Sequence, residues 1–423
     1  TTQVAKYLFA ECTGLEEIVI PDTVTVIRER AFEQARGLKK ITIGSGVHTI
    51  EKYALMGSGL TEILIPDGVT TVGDGILMDC TSLKEATWTA GFNKVSAYAF
   101  SGCTSLKTVN LPDNLDRIIS YAFRNCDSLV NIEIPESVTQ IWQYAFNDCD
   151  SLQSISLGNN LQRIETYCFY SCNSLEAVTM GDRVTYLGTY VFADCDALKN
   201  VKLSEGLTSI PASAFRQCAE LEELIIPRYV TTIGSNAFNA SPKLVKVVLP
   251  ASLTSIGSGA FSYANTTVIY GVPGTYAETW AAENGFQFVG QEVAATEIAL
   301  NKTELTLKKG KSELLILTVT PENSTDAVTW KSSDESVVTV SSNGLLTAES
   351  AGTATIKVTV GSKSASCKVT VVQPVTSISL NKSSLTLEAL ATYQLKATVS
   401  PSTAFDRSVP WSTSDASIAT VDE

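Results

Sequence analysis

The chain repeats itself every 23 residues, and that period constrains its fold more than any other feature. Leucines fall at Leu15, Leu38, Leu60, Leu83, Leu106, Leu129, Leu152, Leu175, Leu198, Leu221 and Leu244, each 23 after the last except for a 22-residue step from Leu38 to Leu60. A second column runs Phe9, Phe32, Leu55, Leu77, Phe100, Phe123, Phe146, Phe169, Phe192, Phe215, Phe238 and Phe261. The missing residue falls around Gly57-Ser58-Gly59, where small side chains absorb it. A unit this short cannot bury its apolar face alone, but stacked units turn each column into a continuous ladder. Eleven or twelve rungs at roughly 4.8 Å make a solenoid about 55 Å long.

One unit reads Ala122-Phe123-x-x-Cys126-x-x-Leu129-x-x-Ile132-x-Ile134-Pro135-x-x-Val138-x-x-Ile141. The alternating apolar residues of 129–134 predict a short strand, which Pro135 stops. Residues 138–141 predict a second extended piece, and Tyr144-Ala145-Phe146 is expected to turn the chain back as a single helical or 3₁₀ turn. Beyond Phe261 the columns end. Tyr276, Trp280 and Ala281 then lie at helical spacing before Gly285, a suitable helix stop. With Phe286 and Phe288 this helix is expected to cap the open end at about 268–290.

The phrase A-F-x-x-C-x-x-L-x-x-I-x-I-P, present at 99–112 and 122–135, resembles the BspA-type leucine-rich repeats of bacterial cell-surface proteins. The resemblance covers about residues 5–290 and implies a mainly β leucine-rich repeat solenoid, assigned here to 1–290. Pro gives way to Gly158, Gly181 and Ser204, and Trp88 replaces an aliphatic residue; these are packing variations.

From Ala294 the composition shifts to Thr, Ser, Val and Lys, and a different repeat begins. Ile298-Ala299-Leu300-Asn301-Lys302 returns 80 residues later as Ile378-Ser379-Leu380-Asn381-Lys382, and Trp330-Lys331-Ser332-Ser333-Asp334 returns as Trp411-Ser412-Thr413-Ser414-Asp415. Short alternating strands at this length predict β-sandwiches. The pattern resembles group-2 bacterial Ig-like domains, which implies spacers at 294–372 and 375–423 with Trp330 and Trp411 as buried core anchors. Laid on the first domain, the second lacks about its last 30 residues, and the chain also opens part-way through a repeat. It therefore reads as a mature or trimmed piece of a longer protein, with its export signal and anchor outside it.

A net charge of −13 argues against nucleic acid, whose phosphates need a basic surface, and against anionic membranes. No run of 18 apolar residues is present, so no membrane span is expected. Ten cysteines in an exported chain ordinarily suggest disulfides. Here Cys80, Cys103, Cys126, Cys149, Cys172, Cys195 and Cys218 stand 23 apart, with Cys12 in the same column and Ala35, Ser58 and Ser241 substituting. That spacing predicts a structural ladder of buried, reduced thiols. Disulfides between neighbouring rungs and a row of metal ligands are the alternatives.

A tyrosine column runs Tyr53, Tyr98, Tyr121, Tyr144, Tyr167 and Tyr190, with Trp142 close by. Its rings either stack on one another to shield the ladder edge or present a patch for sugars or peptides. A polar column, Asn110, Glu133, Ser156, Thr179 and Lys202, is either a plain wet sheet surface or a recognition face. The single histidine, His48, sits off the ladder and reads as a surface residue. Asp148, Asp150, Asp194 and Asp196 read as Asx-type turns rather than a carboxylate pair or calcium site. With one histidine and no phosphate, zincin or EF-hand motif, no catalytic residue, metal or cofactor is expected. The expectation is a non-enzymatic cell-surface or secreted recognition protein, monomeric, binding an extracellular protein or glycan through its solenoid. A ligand-free surface spacer and a targeting module of a larger surface enzyme are the alternatives.

Overall fold

In a computed structural model that describes residues 2–89, 91–402, 404–405 and 407–422, the chain divides into two compact units, 1–293 and 294–423. The first is a solenoid of about twelve turns, and most turns contribute two parallel strands. A wider strand of three or four residues, such as Ser154–Leu157, pairs in register with the one 23 residues on, Ser156 beside Thr179 and Leu157 beside Met180. A two-residue strand, such as Arg117–Ile118, pairs likewise with Gln140–Ile141. Along Ser154–Leu157 exposed and buried residues alternate, so Ile155 and Leu157 enter the core while Ser154 and Ser156 face out.

The turn expected to be helical is neither α-helix nor 3₁₀-helix. Tyr121 and Asn125 lie in the left-handed region at φ 62° and 57°, and each intervening bend is closed by a single bond, Ala122 N–H to the Ile119 carbonyl or Arg124 N–H to that of Tyr121. The alternate amides of Tyr121, Phe123 and Asn125 donate to the carbonyls of Gln143, Ala145 and Asn147 on the next rung at 2.8–3.0 Å. Backbone bonding therefore runs along the stack on this side too, which a helical turn closed on itself would forbid.

The wide ladder has gaps. Residues 129–134 adopt no strand although Ile132 and Ile134 stay buried, and nothing in the structure explains this rung. Inside, Phe32 and the phenylalanines from Phe100 to Phe238 are fully buried, and from Phe100 to Phe261 neighbouring rings stack at 5.1–5.8 Å.

At the C-terminal end the helix Tyr276–Asn284 stops at Gly285, whose φ of 76° needs no Cβ penalty there. The chain returns as Gln287–Gly290, parallel to Val268–Gly271. Trp280 and Phe286 pack on the last ring of the column, Phe261, at 5.5 and 5.9 Å. The Tyr276 hydroxyl accepts the amide of Ile256.

In the second unit a four-stranded sheet orders Glu304–Lys308, Lys363–Val372, Gly352–Val360 and Val328–Ser332. A three-stranded sheet joins Ser312–Leu314, Leu345–Ala348 and Val338–Val340. Trp330 is buried in their shared core, in register with Val358. Trp411 is not: it is half-buried, and Ile378 and Leu380 nearby in sequence are exposed.

Candidate functional site

Tyr98, Tyr121, Tyr144, Tyr167 and Tyr190 form one stack, with centroids 4.7–4.8 Å apart and ring planes within 8°. Each residue is in the left-handed backbone region, φ 56–62°. That conformation costs about 1–2 kcal/mol per non-glycine residue, and a stacked aromatic pair returns about 0.5–1.5 kcal/mol. An inner tyrosine has two such neighbours, so the stack offsets the strain. Tyr53 stands apart, because Gly75 fills the next rung. A Cβ on Gly75 would lie 2.5 Å from the Tyr53 ring, and Arg30 covers Tyr53 at 4.8 Å.

All five stacked tyrosines are half-buried. Burial, then the neighbouring tyrosines, pushes the phenols of Tyr98 and Tyr144 above their usual range. The ring faces are turned to each other, so what the column offers outward is ring edges and a row of hydroxyls. No described residue hydrogen-bonds to those five hydroxyls. Flat stacking on a sugar ring is thus confined to the two ends of the column. Trp142 is different: it is 37% exposed, its Nε1 donates to Gln140 Oε1 at 3.2 Å, and its ring stacks on no described residue.

The cysteines all carry free thiols, and every one except Cys12 is buried. The thiols of Cys103, Cys126, Cys149, Cys172, Cys195 and Cys218 each donate to a carbonyl 26 residues back, at 3.1–3.3 Å. Cys80 reaches Leu55 in the same way, and the Ser241 hydroxyl reaches Phe215. Burial raises the Cys80 thiol to about 11 and that of Cys195 to about 12, so both are protonated at neutral pH. Among the described residues no group of three His, Cys, Asp or Glu side chains could hold a metal.

His48 is exposed, with Nδ1 3.3 Å from the Thr49 hydroxyl. Asp148 and Asp194 occupy the second left-handed position of their rungs, at φ 57°. Burial raises the carboxyl of Asp148, and Arg124 opposes the shift. Sequence reasoning passed over a groove of about 360 Å³ on the wide sheet, lined in part by Lys40, Glu62, Leu64 and Glu85. Its signal was the 22-residue step beside it.

Six copies of the BspA type leucine rich repeat region match residues 2–128, 78–199 and 188–272. The chain belongs to that family. Members of the BspA type are typically cell-surface or secreted proteins, and their repeats suggest protein interaction or adhesion. Bacterial Ig-like domains of group 2 match 294–371 and 374–423, and modules of both kinds are typically binding or spacer elements.

The solenoid is similar to a leucine-rich repeat protein of Bacteroides ovatus, 26% identical with a TM-score of 0.55, over 69% of this chain and 88% of that one. Among curated proteins the chain is 37% identical over 154 residues, 36% of its length, to an uncharacterised protein of Clostridium acetobutylicum. It is 46% identical over 70 residues, 16% of this chain, to a lacto-N-biosidase of Bifidobacterium bifidum. The matched segments span 15% and 6% of those two relatives. No helix among the described residues is long and apolar enough to cross a membrane.

Proposed function

We propose that this BspA-type chain is a non-enzymatic, monomeric recognition or adhesion module of the bacterial surface. Its domains are 1–290, 294–372 and 375–423; the solenoid engages an extracellular protein or glycan, and the Ig-like domains act as spacers. The observation that carries this reading is the strip formed by Trp142 and the hydroxyl edges of Tyr98, Tyr121, Tyr144, Tyr167 and Tyr190. Trp142, two residues before Tyr144 in the chain, adds an exposed aromatic ring to a regular row of hydroxyls that have no hydrogen-bond partner among the described residues. Such a strip suits an extended polar ligand that lies along the stack, with its rings or amides against Trp142.

The test is binding of the full chain to arrays of glycans and extracellular proteins. A ligand should emerge whose affinity falls at least ~10-fold in Trp142→Ala, about 1.4 kcal/mol. No ligand on any array, or one indifferent to Trp142, sinks the reading. The match to a lacto-N-biosidase favours one alternative, a module of a larger surface enzyme. The full reading frame decides it by the presence or absence of a catalytic domain.

A further inference from the structure

The wide ladder of the solenoid is broken between Lys40–Ile43 and Glu62–Ile65, which do not pair, and pairing resumes from Glu62–Ile65 to Glu85–Trp88. The break lies directly after the shortened turn. Elsewhere the column residue and the next leucine are three apart, as in Cys80 and Leu83, but Ser58 and Leu60 are two apart. Gly59 lies between them, so close to the rung below that a Cβ would sit 2.1 Å from the Arg36 carbonyl oxygen. Over this joint lies the groove of about 360 Å³, with Lys40, Thr42, Glu62, Leu64, Glu85 and Thr87 among its lining.

Two features say what the groove would hold. Glu62 and Glu85 stand side by side in register, an unfavourable placement of like charges. Three glutamates on or beside this face have a cation, Glu17 with Lys40, Glu222 with Lys199 and Glu223 with Lys246. Among the described residues the exposed Glu133 stands without one, and without a like-charged neighbour in register. Among the described residues Glu62 and Glu85 have no cation within ion-pair distance, and Lys84 and Lys107 lie outside the lining. Leu64, two residues on from Glu62, is 56% exposed, and Val19, in the same outward column, is 62% exposed.

We propose that this groove binds an extended basic peptide segment. A lysine or arginine lies between Glu62 and Glu85, and an apolar side chain two residues away rests on Leu64. The alternation matches because side chains two apart on an extended chain share a face about 6.5–7 Å apart, the same step that separates Glu62 from Leu64. This surface is distinct from the Trp142 strip, and the proposal stands whether or not that strip binds.

The test is fluorescence anisotropy on the full chain at 0.15 M salt, with a labelled six-residue peptide alternating lysine and valine. A glutamate–valine peptide and an all-lysine peptide are the controls. The lysine–valine peptide should bind, the glutamate–valine peptide should not, and the all-lysine peptide should bind several-fold more weakly. Glu62→Gln with Glu85→Gln should weaken binding at least ~10-fold, and Leu64→Ser several-fold. Glu222→Gln with Glu223→Gln makes the same change in net charge at a distance and should leave affinity within about twofold. Absence of binding, equal loss from both glutamate pairs, or equal affinity for the all-lysine peptide overturns the proposal.

Discussion

The thiol of Cys126 donates a hydrogen bond at 3.2 Å to the carbonyl of Phe100, 26 residues earlier in the chain. That carbonyl belongs to the rung below, so the cysteine column joins turn to turn as well as filling space. Cys126→Ala removes one of two donors to that carbonyl, which keeps the Cys103 amide at 3.0 Å, and should cost about 0.5–1.5 kcal/mol. Cys126→Ser should cost less, because the Ser241 hydroxyl already makes the equivalent bond to Phe215. Thermal midpoints of the two variants check the order, and a serine variant as unstable as the alanine variant would contradict it.

Alkaline pH should unfold the solenoid steeply. In the folded chain the buried thiols hold their protons above the ordinary 9.0, to about 11 at Cys80 and about 12 at Cys195. A raised folded pKa gives stability that is complete below pH 9 and is lost as pH climbs toward the folded values. Each such thiol contributes a slope of about 1.4 kcal/mol per pH unit. Circular dichroism against pH should show the loss beginning near pH 9, and Cys126→Ala with Cys149→Ala should flatten the slope. An unchanged slope rules out the thiols as the cause.

Thiol reagents should find Cys12 first. It is the one cysteine not fully enclosed, and no two cysteines are bridged. The native chain should yield about one fast-reacting thiol and the denatured chain all ten, with no gain from reductant. A gain of two or more thiols on reduction would reveal bridges that the fold does not contain.

Tyr144 separates stacking from recognition. Tyr144→Phe keeps both ring contacts, to Tyr121 and Tyr167, and should leave the melting temperature nearly unchanged. Tyr144→Ala removes both contacts and keeps a left-handed residue, and should cost about 1–3 kcal/mol. If the hydroxyl row touches ligand, the phenylalanine variant loses affinity without losing stability. Equal melting temperatures for the two variants would mean that the stack contributes nothing.

Gly344 underlies Trp330 in the first Ig-like domain. Its φ is 86°, and a Cβ would lie 2.9 Å from the indole and 2.7 Å from the Leu315 carbonyl oxygen. Gly344→Ala should destabilise this domain by about 2–4 kcal/mol through strain and overlap. The solenoid, a separate compact unit, should melt as before. Calorimetry in which both transitions move, or neither does, would refute the assignment.

The solenoid was legible because its information is columnar: Leu129 or Phe123 predicts burial by position within a repeated unit. The backbone of the turn was not legible, since hydrophobic period reports burial and says nothing of the sign of φ. One clue was present in Gly57, Asp79, Gly102, Asn125, Asp148 and Asp194, a column rich in residue types that tolerate the left-handed region. Trp411 repeats the sequence around Trp330 but is half-buried where Trp330 is buried. Of the candidate site, the tyrosine column was visible and the direction of its rings was not. Only stacking geometry shows that the faces are spent on neighbours, and only strand pairing shows that Glu62 meets Glu85.

The left-handed tyrosines also bear on how such a solenoid can grow by duplication. Where the run ends, the same position passes to Gly75 on one side and to Ser213, Asn236 and Gly259 on the other. Glycine and asparagine there hold the conformation cheaply without a ring above or below. A tyrosine unit copied between two other tyrosine units inherits both stacking partners, whereas the same unit transplanted next to Gly259 would keep the strain and lose the contacts. Units 98 through 190 are therefore exchangeable among themselves as a cassette, and lineages that lengthen this protein should do so from within that block.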